Sequence, residues 1–172
     1  MFAVLAGVLY VLEDSIFLLL AAIMVLVSGF FDALDGKVAR ISSKASKRGD
    51  FVDHVIDRYS DVIILGAIAM SFRCELSFGL FAVIGVLLAS YMGTQAQALG
   101  LGREYRGILG RADRITVLVI ISIIQYAFEV GDNSLATDIF GYSLISWMMV
   151  YFGLAGNITA LQRASVIWKS LP

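Results

Sequence analysis

Six apolar runs, separated by short charged breaks, decide what this chain can fold into. The second to sixth are Ser15–Phe31, Asp50–Phe72, Leu76–Leu99, Ile115–Val130 and Ile139–Leu161. Each is close to the ~20 residues that a helix needs to cross a bilayer. The third is charged in its first three turns and apolar after them. The first run, Met1–Leu12, is too short to cross and reads as the distal part of a helix whose beginning is missing. A signal peptide fits it less well, because it has no basic opening region and no small-residue cleavage site. The one proline, Pro172, stands at the last position, so the strongest helix breaker interrupts no run. Charged residues are 16% of the 172, against roughly 25% in a soluble domain. With a mean hydropathy of +0.86, the expectation is an all-α polytopic membrane protein. It has six transmembrane helices, the first truncated, in a single domain over residues 1–172. No tandem repeat is evident, and the spans leave no room for a soluble domain.

The breaks alternate in sign. Lys37, Arg40, Lys44, Lys47 and Arg48 lie in one, Arg103, Arg106, Arg111 and Arg114 two helices later, and Arg163 and Lys169 at the C-terminus. The breaks between carry Glu13 and Asp14, then Arg73 and Glu75, then Asp132 and Asp138. The positive-inside rule puts the basic breaks and both termini in the cytoplasm, in a protein of the cell membrane. Lone Cys74 excludes an intramolecular disulfide and a cysteine zinc cluster. Lone His54 reads as an ordinary polar neighbour near the membrane surface, without a ligand role. No nucleic-acid partner is expected.

Inside this apolar chain sit Asp32, Asp35, Asp53 and Asp57. Ionised carboxylates at membrane depth cost several kcal/mol each unless paired, hydrated or metal-bound. Asp32, Asp35, Gly36, Ala39 and Arg40 share one stripe of a helix. Asp53 and Asp57 are four apart on the next helix, and Asp50 and Asp61 extend that line. The short basic stretch Ile41–Arg48 returns the chain, so two acidic stripes face one cleft. Oxygen ligands without His or Cys suit a hard ion, Mg²⁺ or Mn²⁺, and four carboxylates suffice for two ions. Gly36, Ala39 and Gly49 leave space for a flat ligand beside the backbone, although small residues also serve close helix packing. Arg40, on the aspartate stripe, suits phosphate oxygens better than a mere membrane anchor.

The string Asp32, Asp35-Gly36, Ala39-Arg40, Gly49, Asp53, Asp57 resembles the signature of the CDP-alcohol phosphotransferases, membrane enzymes of phospholipid head-group synthesis. The family pattern D-x2-D-G-x2-A-R-x8-G-x3-D-x3-D is matched without departure. The family's usual opening juxtamembrane helix and Pro-Asn segment, part of its cytidine site, have no counterpart here. The resemblance implies transfer of a phosphatidyl-type group from a CDP-linked lipid to a polar alcohol, with release of CMP. Asp32, Asp35, Asp53 and Asp57 would hold the metals, and Asp57 would also act as general base. Asp32, Gly36, Ala39, Arg40 and Gly49 would form the CDP site, with Arg40 steadying the β-phosphate. A homodimer is implied as well.

The second basic break has two readings. Topology and anionic-lipid contact is one, at ~1 kcal/mol per residue. The other is an acceptor pocket in which Arg106, Arg111 and Arg114 meet a phosphate. An uncharged acceptor such as serine or free inositol needs no arginine cluster; inositol phosphate or glycerol phosphate does, and inositol phosphate is preferred. A different class, a divalent-cation carrier, would use the aspartates as a translocation site. Against it, the aspartates cluster at one membrane face and no polar path continues beyond them.

Overall fold

A computed structural model describes residues 1–41, 47–102, 104–131 and 139–171, with the side chains at 33, 35–41 and 47 outside the described set. Six α-helices are found among the described residues: α1 (Phe2–Val11), α2 (Ser15–Ile41), α3 (Lys47–Met70), α4 (Leu76–Ala98), α5 (Arg111–Val130) and α6 (Leu144–Ser170). No strand occurs among them. Three helices are long and apolar enough to cross a membrane: α2 over Ser15–Asp32, α4 and α6. The six-span expectation is therefore supported for these three. α3 and α5 are of spanning length but carry charges in their first turns, Asp50, Asp53 and Asp57 on one, Arg111, Asp113 and Arg114 on the other. α2 runs on past its apolar part to Ile41, so the motif's first half rides on a helical extension.

The principal helix neighbours close into a ring: α1 beside α3, then α4, α6, α5, α2 and back to α1. The core is continuous around it. It takes in Ala3, Ala6 and Tyr10 of α1, Leu18, Ala21 and Val25 of α2, Ile64, Leu65 and Ile68 of α3, and Met149 and Phe152 of α6. Tyr10 spends its buried hydroxyl on Ser122 of α5, 2.8 Å away, which satisfies both groups without water.

α4 and α6 approach most closely, and glycines permit it. A Cβ added at Gly85 would lie 2.8 Å from the Gly153 carbonyl oxygen, and one at Gly156 2.6 Å from the Gly85 carbonyl carbon. Without a hydrophobic drive between helices in lipid, such backbone contact is what holds a pair together.

The sixth apolar run does not start its helix at Ile139. Residues 139–142 form a tight turn with Phe140 at φ 55° and Gly141 at φ 82°. Ile139 and Tyr142 exchange backbone hydrogen bonds of 2.9 and 3.1 Å across it. The helix begins only after Ser143, whose hydroxyl accepts the Ser146 amide at 3.0 Å, as an N-cap does. Hydropathy sees Ile139 and Phe140 as apolar but cannot see the left-handed turn between them.

At this same end Arg73, in the α3–α4 connection, is almost fully buried. It donates from Nε and Nη2 to Glu129 of α5 at 2.8 and 2.9 Å, and from Nη1 and Nη2 to the Leu12 and Glu13 carbonyls at 3.1 and 2.8 Å. Glu129 also accepts from Ser15 and Gln125 at 2.6 and 3.0 Å. Ser143 and Ser146 donate to the Arg73 carbonyl. Arg73 thus ties the α1–α2 connection to α5 through its guanidinium and to the start of α6 through its carbonyl.

Candidate active site

At the opposite end of the ring, α2, α3 and α5 bring their charged turns together. Asp57 is buried on the inner face of α3, with Asp53 one turn before it and more exposed. Asp32 of α2 faces them. Arg111, opening α5, supplies the contact: its Nη1 donates to Asp32 Oδ2 at 2.7 Å and meets Asp57 Oδ1. Asp32 of α2 and Asp57 of α3 are therefore brought together, with a single guanidinium between them.

One turn deeper the pattern repeats. Arg114 is buried and donates from Nη2 to Asp61 Oδ2 at 2.8 Å. Arg58 Nη2 stands 3.5 Å from Asp61 and 3.8 Å from Asp57. The charges alternate through the cluster: Asp32, Arg111, Asp57, Arg58, Asp61, Arg114. The buried Nε atoms of Arg58 and Arg111 have no hydrogen-bond partner among the described residues. Two donors are thus left in a low-dielectric place, where an unmet donor is costly.

Asp57, Arg58, Arg111 and Arg114 of this cluster line a cleft of about 320 Å³. Its walls are Asp50, Asp53, His54, Asp57 and Arg58 of α3, Ala89 and Ser90 of α4, Arg111 and Arg114 of α5, Arg163 of α6, and Glu104, Tyr105, Leu109 and Gly110 from the α4–α5 connection. That connection is fastened by Arg163. Its guanidinium donates to the Ala89 carbonyl at 2.6 Å, to Arg106 at 2.8 Å and to Tyr105 at 3.2 Å. Thr159 Oγ1 accepts the Leu109 amide at 3.1 Å. α5 then starts with the Gly110 amide donating to Asp113 at 2.9 Å, which fixes the direction in which Arg111 and Arg114 leave the helix.

The residues singled out from the sequence fall into three groups. Asp32, Asp53, Asp57, Arg111 and Arg114 converge. Gly49 is exposed on the first turn of α3, and Arg106 points outward, with its Nε 3.8 Å from Glu104. Asp35, Gly36, Ala39 and Arg40 sit on the continuous last turns of α2, but their side chains lie outside the described residues, as does Arg103. His54, read from sequence as a bystander, brings a ring nitrogen within 4.8 Å of carboxylate oxygens of Asp53 and Asp57. Its Nε2 is also 3.4 Å from Asp50. Arg58 gave no sequence signal, because one arginine after an aspartate fits any charged helix face.

The family model described as CDP-alcohol phosphatidyltransferase matches residues 1–159. An archaetidylinositol phosphate synthase of Pyrococcus horikoshii is 34% identical over 130 residues, which cover 76% of this chain and 65% of that protein. The enzyme of that name from Methanothermobacter thermautotrophicus is 33% identical over 159 residues, covering 90% of this chain and 72% of the relative. The chain thus spans about two thirds of the length of these relatives. Among solved structures, the Mycobacterium tuberculosis phosphatidylinositol phosphate synthase in complex with manganese and citrate superposes with a TM-score of 0.75 at 21% identity. That match covers 97% of this chain and 78% of the other, and establishes the fold.

Proposed function

This chain belongs to the CDP-alcohol phosphatidyltransferase family, and on that premise we propose that it transfers a phosphatidyl-type group from a CDP-linked lipid to a hydroxyl of an inositol phosphate, releasing CMP. The observation that carries the reading is the meeting of Asp32 and Asp57, from the two halves of the signature, at Arg111. One cleft then holds both a carboxylate cluster and arginines suited to an acceptor phosphate. The names of the two archaeal relatives support inositol phosphate over glycerol phosphate, serine or free inositol.

The donor set fits a hard divalent cation, since Asp32, Asp53 and Asp57 present oxygens and only one positive charge stands between Asp32 and Asp57. Asp32, Asp35, Asp53 and Asp57 would hold Mg²⁺ or Mn²⁺, as two ions. Bound there, the metal supplies charge neutralisation for the donor's pyrophosphate. The protein's own work is then positioning, as phosphoryl-type transfer requires. Arg40 binds the β-phosphate, and Gly36, Ala39 and Gly49 leave room for the cytidine. Arg111 and Arg114 hold the acceptor phosphate by charge-assisted hydrogen bonds, Arg106 giving weaker attraction from the rim. Asp57 takes the acceptor's hydroxyl proton. Because Arg111 already touches Asp57, a phosphate held on Arg111 keeps the acceptor beside its base.

The cation-carrier reading loses ground to the core below the cluster. After Asp61, α3 buries Ile64, Leu65 and Ile68, an apolar stretch beyond the carboxylates. The protein is integral to the membrane. The basic breaks support a cytoplasmic site and cytoplasmic termini in a six-span, single-domain protein of the cell membrane, and the family resemblance supports a homodimer.

An acceptor screen tests the proposal. The full chain in nanodiscs receives an ester or ether CDP-lipid, Mg²⁺ and one alcohol at a time, with CMP release as the readout. Inositol phosphate should give the fastest release. Faster turnover of serine or free inositol would reject the acceptor, and no CMP with any alcohol would reject the activity.

A further inference from the structure

We propose that Asp61, which lies outside the family signature, is a positioning residue for the acceptor: it holds Arg114 in the cleft. The inference rests on the acceptor reading above. Asp61 is four residues after Asp57 on α3, and its Oδ2 takes the Arg114 hydrogen bond at 2.8 Å. Its side chain is 14% exposed and that of Arg114 9%, so the pair is largely shielded from water. Arg58, 3.5 Å away, is the other cation on the same oxygen. A buried guanidinium with long rotatable arms needs a fixed counter-charge to stay in one geometry. Arg111 has Asp32 and Asp57 for this purpose; Arg114 has Asp61.

The sign of the effect separates positioning from simple electrostatics. A carboxylate does not bind a phosphate, and near one it repels. Removing its charge should therefore tighten an anionic acceptor if Asp61 acts only through the field. If Asp61 acts by holding Arg114, the same change loosens the acceptor.

The test measures both Michaelis constants, for inositol phosphate and the CDP-lipid, with the full chain in nanodiscs. Asp61→Asn should raise the acceptor KM about tenfold and leave the donor KM within about twofold. In an Arg114→Ala background the substitution should add nothing further, as expected of two residues in one chain of action. A lowered or unchanged acceptor KM, or equal rises for both substrates, overturns the inference. So does a full additional effect in the Arg114→Ala background. If Arg114→Ala alone leaves the acceptor KM unchanged, the acceptor reading fails with it; if that variant raises KM and Asp61→Asn does not, only the positioning role fails. Should Asp61→Asn not fold, Asp61→Glu keeps the charge but displaces the carboxylate by one methylene. It should still raise the acceptor KM selectively, and an unchanged value counts against the proposal.

Discussion

Two arginine–carboxylate networks occupy opposite ends of the same helix ring, and they are built differently. Around Arg73 every guanidinium nitrogen has a partner, and Glu129 accepts from two further side chains, Ser15 and Gln125. Nothing there opens on the cleft. Around Arg111 and Arg58 the charges are shared and strung out, two buried Nε atoms lack a partner among the described residues, and the cluster faces a cavity. A closed network of charges fixes geometry. An open one leaves bonding capacity for a substrate. The same residue types thus serve as a fastener at one end and as chemistry at the other.

Substitutions at the two ends should separate these roles. The largest effect belongs to Asp57→Asn, which keeps shape and removes the proton acceptor. Its kcat should fall by ~10²–10⁴ with the fold retained; near-normal turnover would place the base elsewhere. Next comes Arg73→Met, which leaves the largely shielded Glu129 without its cation. Unfolding in mixed micelles should be easier by about 3–5 kcal/mol, while kcat and both KM values of the folded fraction stay near wild type. A selective kinetic defect without loss of stability would break the comparison, since it would give the closed network a part in the reaction. Arg111→Ala should raise the acceptor KM roughly tenfold to a hundredfold, above any change in the CDP-lipid KM. A membrane-anchoring role predicts instead altered insertion with the acceptor KM untouched. The smallest effect is expected at Arg106, whose side chain is 80% exposed. Arg106→Ala should change the acceptor KM by no more than about threefold, and that change should vanish at high salt. A shift as large as that at Arg111 would put Arg106 among the groups that touch the acceptor.

Much of this molecule was legible beforehand for one reason: periodicity is local. Helices α2 to α5 follow the apolar runs, and the spacing of Asp53 and Asp57 by four residues puts both on one face of α3. The partners of these groups were not legible. Arg111 meets Asp32 across 79 positions and Arg114 meets Asp61 across 53, and such pairings depend on which helices the ring makes neighbours. Arg73 counted only as a charge in a break and Glu129 gave no signal, because each is meaningful only beside the other. The approach of His54 to Asp57 was hidden in the same way: its place next to Asp53 says nothing about how a helix turns its ring toward Asp57. The start of α6 was missed because a tight turn made of Ile139, Phe140 and Tyr142 is as apolar as a helix.

The glycine contact of α4 with α6 bears on how such a sequence can drift. Where backbones touch at Gly85 and Gly156, even a methyl group meets main-chain atoms that cannot rotate away. Lipid-facing leucines can be exchanged for other apolar residues at little cost. These glycines have no neighbour in sequence space that preserves the contact, and a change at one cannot be offset by trimming the other, which has nothing left to remove. Over a long history the α4–α6 seam should stay nearly still while the outer surface turns over, a constraint set by contact alone and independent of the one that chemistry sets on the aspartates.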